Sequence, residues 1–143
     1  MNLDLSSLRN ALNQVEEALA YSGSDLARSD PKIGRLFRAA AIQAFEFTYE
    51  VSWKMLKRYL EASSATPDSV DKMTFADLIR TGNEQGLLKS DWDAWREFRR
   101  ALGITSHVYD EAKAQEVYGI IPRFNVESRF LLAQLETRAA QHD

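Results

Sequence analysis

One short segment holds most of the side chains that could carry out chemistry. Its arginine, hydroxyl, imidazole and phenol groups belong to Arg96, Arg99, Arg100, Thr105, Ser106, His107 and Tyr109. An arginine binds phosphate through two parallel N–H donors, and a histidine moves a proton near neutral pH. If the segment is helical throughout, Arg100 and His107 lie on one face, about 10.5 Å apart along the axis, and Arg96 is in phase with them. Such a cluster suits metal-free cleavage of RNA, in which the ribose 2′-hydroxyl attacks the neighbouring phosphate.

The same residues also have a structural interpretation, and the spacing alone favours it. Three arginines on an amphipathic helix are usually a solvated face, and one histidine after a helix is usually a hydrogen-bonded structural residue. RNA cleavage also needs both a general base and a general acid. The chain has two histidines, of which His142 lies next to the C-terminus, so His107 is the candidate for both roles. A two-fold dimer would supply a second copy of it.

Other kinds of site find little support. The sequence has no Gly-rich phosphate loop, no cluster of Cys and His ligands and no serine nucleophile motif. Glu46 and Glu50 are spaced to share a helix face, but Lys54 and Lys57 follow on the same stripe. A solvated row of ion pairs explains that stripe better than a metal site does. We therefore predict no metal and no cofactor.

The elements that position these residues are predicted to be helices arranged around one central helix. From Ala39 to Leu60 the polar residues recur every three or four positions, and nearly everything else is apolar. A helix apolar over most of its circumference must be covered on at least two sides. Asp30 followed by Pro31 is typical of a helix start, so this helix is predicted from about Pro31 to Glu61.

The remaining helices have weaker signals. They are predicted from Asp4 or Ser6 to Tyr21, from Thr74 to Gly82 or Gly86, from Ser90 to Gly103, and from Asp110 onward with a kink or break at Pro122. The stretches SGSDLARSDP and ASSATPDS are predicted loops. We predict an all-α fold: an antiparallel up-and-down four-helix bundle with an additional short helix, forming a single domain over residues 1–143. Trp53, Trp92 and Trp95 are predicted core or dimer contacts.

Composition limits the partners and the location. The net charge of −3 argues against a broad basic surface for nucleic acid. The sequence has no basic and apolar leader at its start and no apolar run long enough to span a membrane, so no membrane partner is expected. The absence of cysteine fits a reducing compartment, and a cytoplasmic location is predicted.

Two separated motifs resemble a known family. Phe45-Glu46-Phe47-Thr48-Tyr49-Glu50 continues into Ser52-Trp53-Lys54 and Leu56-Lys57, and far along the chain come Thr105-Ser106-His107 and Tyr109-Asp110. Together they resemble the nucleotidyltransferase substrate-binding protein family, a branch of the HEPN helical superfamily. The resemblance implies a helical bundle that forms homodimers, here through the apolar central helix or the helix bearing Trp92 and Trp95. It also implies a partner, a minimal nucleotidyltransferase encoded nearby, with nucleotide or RNA as a further ligand.

The resemblance implies two different functions. In one, the chain is a companion subunit that binds the nucleotidyltransferase, its substrate or both, with Arg96, Arg99, Arg100, Thr105 and Ser106 as phosphate-binding residues. In the other, it is an RNase toxin with Arg100, His107 and Arg99 as catalytic residues, neutralised when the partner adenylylates Tyr109. The superfamily motif is Arg, four to six residues, then His, and six residues separate Arg100 from His107. Family members typically carry Arg-Asn where this chain has Leu102-Gly103. We predict the companion subunit and keep the RNase as the alternative.

Overall fold

The computed structural model describes residues 3–142, and every regular element in that range is a helix. In chain order they are α1 (Ser6–Ser22), α2 (Asp25–Ser29), α3 (Pro31–Ser63), α4 (Pro67–Asp71), α5 (Phe75–Glu84), α6 (Trp92–Gly103) and α7 (Glu111–His142), with a 3-10 turn at Thr105–His107. The predicted all-α class is confirmed. Helices α1, α3 and α7 contact one another, and α6 packs on α7.

The central helix is α3, as the sequence predicts. It begins where the carboxylate of Asp30 accepts the backbone N–H of Lys32 at 3.0 Å, with Pro31 in the first turn. It extends 33 residues, two past the predicted end at Glu61. Helices α1, α2, α4, α5 and α7 all pack against it. Coverage from several sides explains why so little of its circumference is polar.

The core is centred on Phe124 of α7. Its ring meets Phe45 of α3 edge-on with 4.9 Å between centroids, and it meets Phe98 of α6 at 5.4 Å. Trp95 and Tyr49 complete the cluster, at 6.1 Å and 6.3 Å from the same ring. Edge-to-face packing of this kind adds to the burial of apolar area. The cluster joins α3, α6 and α7 and so fixes the helix that carries the arginines.

Two predicted loops contain short helices, so those predictions were wrong. In the first, the Ser24 hydroxyl accepts the backbone N–H of Ala27 at 3.2 Å and starts α2. In the second, Pro67 stands in the first turn of α4, a position where its missing N–H costs nothing. Each helix has only five residues. The fold therefore has three short helices beside its four longer ones in the described residues, where one short helix was expected.

Of the kink or break predicted at Pro122, the break does not occur, because α7 continues through it to His142. Pro122 is exposed, whereas Ile121 and Phe124 beside it are fully buried. Proline leaves a backbone carbonyl of the preceding turn without a partner. On the solvent side of the helix, water can satisfy that carbonyl while packing holds the other side in place.

A buried carboxylate on α7 accepts hydrogen bonds from the residue that precedes the cap of α6. Glu127 is 4% exposed and accepts both the backbone N–H and the hydroxyl of Ser90, at 3.2 Å and 2.5 Å. Ser90 was predicted to begin the helix, but it is Asp91 that caps α6, through the N–H of Trp92 at 2.7 Å. Trp95 is fully buried, as a core residue should be, while Trp53 and Trp92 are half-buried and pack edge-on against Phe75.

Candidate functional site

The candidate site lies where α6 ends and α7 begins. Helix α6 stops at Gly103, and the Thr105 hydroxyl donates to the carbonyl of Leu102 at 2.8 Å, satisfying one of the acceptors that a helix end leaves free. After the 3-10 turn, the Asp110 carboxylate accepts the N–H groups of Ala112 and Lys113 at 2.9 Å and 3.2 Å. Asp110 thus caps α7, as predicted from the sequence.

Because α6 ends at Gly103, as predicted, the conditional prediction that Arg96 and Arg100 align with His107 on one helix does not hold. That prediction required an unbroken helix through His107. A glycine and then the β-branched Ile104 and Thr105 end the helix at this point. The arginines therefore stand on α6, and His107 stands on a separate turn.

The three arginines are exposed, and two of them have partners in different directions. The Arg99 guanidinium lies over the ring of Phe75 on α5, 4.9 Å from its centroid. Arg100 forms an ion pair with Glu116 on α7. The Arg100 side chain is 68% exposed, and a pair this exposed contributes little stability, so an arriving phosphate can compete for the guanidinium. Among the described residues, no hydrogen bond joins these arginines to the imidazole of His107, and Arg100 is bonded to Glu116.

His107 and Tyr109 lie beside each other at the surface. Their ring centroids are 6.1 Å apart and their planes nearly perpendicular. The Tyr109 side chain is 85% exposed, which makes it accessible to a second protein. Ser106 is exposed as well, whereas Thr105 is half-buried and its hydroxyl is used by Leu102.

Leu102 and Gly103, which stand where the resemblance led us to expect Arg-Asn, have different surroundings. Leu102 is half-buried and packs against the core. Gly103 is exposed, and a Cβ added there would meet nothing within 4 Å. A side chain at position 103 therefore has room, while a polar side chain at position 102 would have to reach outward.

A polar cleft beside this segment was not predicted. It has a volume of about 320 Å³ and is lined at its charged end by Arg35, Arg38 and Glu111. Arg38 on α3 donates two hydrogen bonds to Glu111 on α7, at 2.7 Å and 2.8 Å. Hydrogen bonding to Arg38 lowers the pKa of Glu111 to about 2, and the same bonds raise the pKa of Arg38. The two residues lie 73 positions apart, and no local pattern signals their contact.

Neither a metal site nor a membrane span is found in the described part of the chain. Across residues 3–142, no three His, Cys, Asp or Glu side chains are grouped closely enough to hold a metal ion. The carboxylate of Glu50 instead lies 3.6 Å from Lys54, and Lys57 lies 3.8 Å from Glu61. Within the same range, each helix is too short or too polar to cross a bilayer.

Known proteins resemble this chain in sequence and in fold. A family model described as nucleotidyltransferase substrate binding protein like matches residues 3–137. A Haemophilus influenzae protein named probable ribonuclease HepT is 44% identical over 100 residues, which are 70% of this chain and 68% of that protein.

Two solved structures share the fold. One, also from Haemophilus influenzae, is described as revealing the fold of a substrate binding domain of a nucleotidyltransferase. It superposes with a TM-score of 0.86 at 37% identity and covers 93% of this chain and 99% of its own. The other, from Thermus thermophilus, has a TM-score of 0.67 at 26% identity and covers 90% of this chain and 98% of its own. With a family match over nearly its whole length, the chain belongs to the nucleotidyltransferase substrate binding protein like family.

Proposed function

We propose that this protein is the helical companion subunit of a two-component minimal nucleotidyltransferase system, binding the nucleotidyltransferase, its substrate or both. The observation that carries the proposal is Leu102, a half-buried leucine where the family typically has arginine. A leucine cannot bind phosphate. Arg99 and Arg100 do not replace that arginine in the described structure, since they are directed to Phe75 and Glu116. Binding of a nucleotide needs cationic and hydroxyl groups at the surface. It does not need a general base placed beside an arginine that holds the phosphate.

Several groups are available for binding the phosphates of a nucleotide. Arg96 and Ser106 are exposed, and Arg100 is held only by a surface ion pair. Arg99 can turn from Phe75 toward an anion, whereas the Thr105 hydroxyl is already engaged with Leu102. The relative described as a substrate binding domain supports this role, because 99% of its chain matches this one. The proposal includes a homodimer and the predicted cytoplasmic location.

The second candidate is a metal-independent RNase toxin. It is favoured by 44% identity to a protein named probable ribonuclease and by the exposed position of His107. In this reaction, His107 takes the proton of a ribose 2′-hydroxyl while that oxygen forms a bond to the adjacent phosphorus. The bond from phosphorus to the 5′-oxygen breaks, and that oxygen takes a proton from His107 of a second copy. The products are a 2′,3′-cyclic phosphate and a 5′-hydroxyl, and Arg99 and Arg100 stabilise the phosphate charge.

The same candidate includes adenylylation of Tyr109 by the partner. The phenol oxygen forms a bond to the α-phosphorus of a nucleoside triphosphate, the bond to pyrophosphate breaks, and the phenol proton passes to solvent. The exposure of Tyr109 allows another enzyme to reach it. The attached group brings bulk and negative charge next to His107 and competes with RNA for the arginines.

Expression of the chain alone separates the two candidates. We expect cells that produce the wild type and cells that produce His107→Ala to grow equally, with intact RNA in both. Poor growth and fragmented RNA with the wild type, both absent with His107→Ala, would establish the RNase instead. Gly119→Ala is the control, since Gly119 is exposed on α7 outside the candidate site and an added Cβ would meet nothing within 4 Å.

Capture of the partner tests the companion role directly. The nucleotidyltransferase encoded beside this chain should co-purify with it when the two are co-expressed. Mass spectrometry of the captured chain then shows whether Tyr109 carries an adenylyl group, with Tyr109→Phe as the control. Failure of co-purification with both the wild type and Tyr109→Phe would contradict the companion role.

A further inference from the structure

One arginine in the polar cleft has a charge that no carboxylate neutralises within residues 3–142. Arg35 of α3 is exposed, lines the charged end of the cleft and forms no ion pair in that range. Its neighbour Arg38 holds the Glu111 carboxylate by two hydrogen bonds. Those bonds are the main cause of the lowered pKa of Glu111, and the charge of Arg35 adds to the effect. The cleft therefore has two cations near one carboxylate, which leaves a surplus of positive charge.

Glu111 binds Arg38 in the way that a phosphate would. Two N–H groups of Arg38 meet the two carboxylate oxygens, at 2.7 Å and 2.8 Å. A guanidinium holds phosphate oxygens by the same bidentate contact. The Arg38 side chain is 13% exposed, whereas that of Glu111 is 66% exposed. The carboxylate can therefore turn into solvent and leave Arg38 to an incoming phosphate, with Arg35 as a second cation.

The uncharged part of the lining offers a hydrogen-bond acceptor. Tyr118 and Ser22 both line the cleft, and their hydroxyl oxygens lie 2.6 Å apart. Ser22 gives its hydroxyl hydrogen to the carbonyl of Leu19 at 2.9 Å, so the hydrogen between the two hydroxyls comes from Tyr118. The Tyr118 oxygen then still has lone pairs that can accept a hydrogen bond. A ligand that carries hydroxyl or N–H groups beside its phosphate fits these surroundings better than a bare phosphate does.

The cleft has the size and the fixed walls of a small-molecule site. Its volume is about 320 Å³, at the lower end of the ~300–1,000 Å³ range of such sites. Gly34 lines it where α2 packs on α3, and a Cβ there would come within 2.9 Å of the carbonyl oxygen of Ala27. This close contact holds α2 on α3, and the bond between Ser22 and Tyr118 joins α1 to α7. The walls are therefore in place before a ligand arrives.

We propose that this cleft binds a nucleoside monophosphate, whose phosphate replaces the Glu111 carboxylate on Arg38 and also contacts Arg35. The Tyr118 oxygen accepts a hydrogen bond from the sugar or the base. None of these residues belongs to α6, so the chain has a second phosphate site besides the arginines of that helix. This site rests on the substrate-binding part of the proposed function, with a mononucleotide as the substrate.

The two partners of the ion pair should affect binding in opposite directions. By isothermal titration calorimetry with AMP, we expect Glu111→Gln to bind about two- to fivefold more tightly than the wild type, because the competing carboxylate is lost. Arg38→Gln and Arg35→Gln should each bind about tenfold or more weakly, because each loses a charge-assisted contact with phosphate. A purely structural pair would move Glu111→Gln and Arg38→Gln in the same direction, since both changes break the same bonds.

The ion pair between Arg9 and Glu136 supplies matched controls. It joins α1 to α7 at 3.5 Å, and Glu136 lies about 37 Å from Glu111 along α7 at 1.5 Å per residue. Arg9→Gln and Glu136→Gln make the same changes in charge and should leave AMP binding unchanged. Circular dichroism should show the helix content of the wild type in every variant, so that binding is compared among folded proteins.

A short series of ligands tests the class of substrate. We expect AMP to bind more tightly than inorganic phosphate and more tightly than adenosine, because each of these lacks one part of the nucleotide. Tyr118→Phe should weaken the binding of AMP and leave that of inorganic phosphate unchanged. If inorganic phosphate binds as tightly as AMP, the ligand is a free anion and the nucleotide is excluded.

The remaining outcomes separate the cleft from the proposed function. AMP binding that is lost in Arg100→Gln but kept in Arg38→Gln would overturn the cleft and leave the phosphate to α6. Weaker binding by Glu111→Gln would overturn the replacement of its carboxylate by phosphate. If no variant and not the wild type binds AMP, both the cleft and the substrate-binding part are wrong, and capture of the nucleotidyltransferase alone decides the companion role.

Discussion

The hydroxyl of Tyr49 is a polar group buried in apolar surroundings. The residue is 2% exposed, its ring lies among Phe45, Phe75 and Phe124, and its hydroxyl has no hydrogen-bond partner among the described residues. Burial raises the pKa of the phenol, because the charged form would be desolvated. An unpartnered buried hydroxyl costs free energy that phenylalanine avoids.

Tyr49→Phe is therefore expected to leave stability unchanged or to raise it by about 1 kcal/mol, measured by urea unfolding. Tyr118→Phe is the matched control, because the Tyr118 hydroxyl lies 2.6 Å from that of Ser22. Its loss should lower stability by about 1 kcal/mol. A Tyr49→Phe protein less stable than Tyr118→Phe would show that the Tyr49 hydroxyl has a partner after all.

Positions 102 and 103 allow a gain-of-function prediction. Gly103 has open space around it and Leu102 is only half-buried, so the double change Leu102→Arg with Gly103→Asn is compatible with the fold. If loss of the family arginine explains the proposed binding role, restoring the pair should raise RNA cleavage on the order of 10²-fold. Cleavage of a labelled RNA measures it. Adding His107→Ala to the double variant should abolish the gain, and a gain that persists would point to a contaminating nuclease.

At the scale of helices, Pro122 locally destabilises α7, and the packing of the helix compensates for this loss. It stands on the solvent side of α7, where a proline removes one backbone hydrogen bond. Pro122→Ala restores that donor and should raise stability by about 1–3 kcal/mol, since alanine is favoured over proline inside a helix. Pro67→Ala is the control, because Pro67 stands in a first turn and loses no bond there. Equal effects in urea unfolding would contradict the argument.

The pair between Arg38 and Glu111 connects α3 to the first turn of α7. The folded protein holds the pKa of Glu111 at about 2, below its ordinary value of 4.5. A carboxylate with a lowered pKa contributes stability that is fully present above pH 4.5 and is lost as the pH falls toward 2. Glu111→Gln should therefore be less stable than the wild type at pH 7, and the difference should shrink as the pH is lowered to 3.

Urea unfolding across that pH range is the measurement, and Arg38→Gln should give the same profile because it removes the other partner. In the double variant the two effects should not add, since each single change already breaks the contact. A stability difference independent of pH would show that Glu111 acts through its packing and not through its charge.

At the scale of helices, the sequence predicts features that depend on residues close together in the chain and misses those that depend on distant ones. The caps at Asp30, Thr74 and Asp110 were correctly placed, because each involves side-chain and backbone groups a few residues apart. Helices α2 and α4 are too short to show a repeat of apolar residues. The bond from Arg38 to Glu111 depends on how α3 and α7 pack, and that is set by burial throughout the core.

For the candidate site, the sequence indicated the residues but not their arrangement. His107 and Tyr109 are two positions apart in the chain, and their rings lie beside each other, with 6.1 Å between centroids. The directions of Arg99 and Arg100 depend on Phe75 and Glu116, which come from other helices. A pattern of spacing could not supply those partners. The end of α6 at Gly103, which was predicted, separates the arginines from His107.

For the whole molecule, the proposed homodimer makes stability depend on protein concentration. A second copy that binds only the folded chain shifts the equilibrium toward the folded state, and the shift grows with the amount of protein. A monomer leaves large aromatic side chains in water, since Phe47 is 57% exposed and Tyr21 is 53% exposed. The unfolding temperature of the wild type should therefore rise with each tenfold increase in protein concentration. Differential scanning calorimetry over a hundredfold range of protein concentration measures this dependence. A constant unfolding temperature for the wild type would mean that the chain folds and remains a monomer.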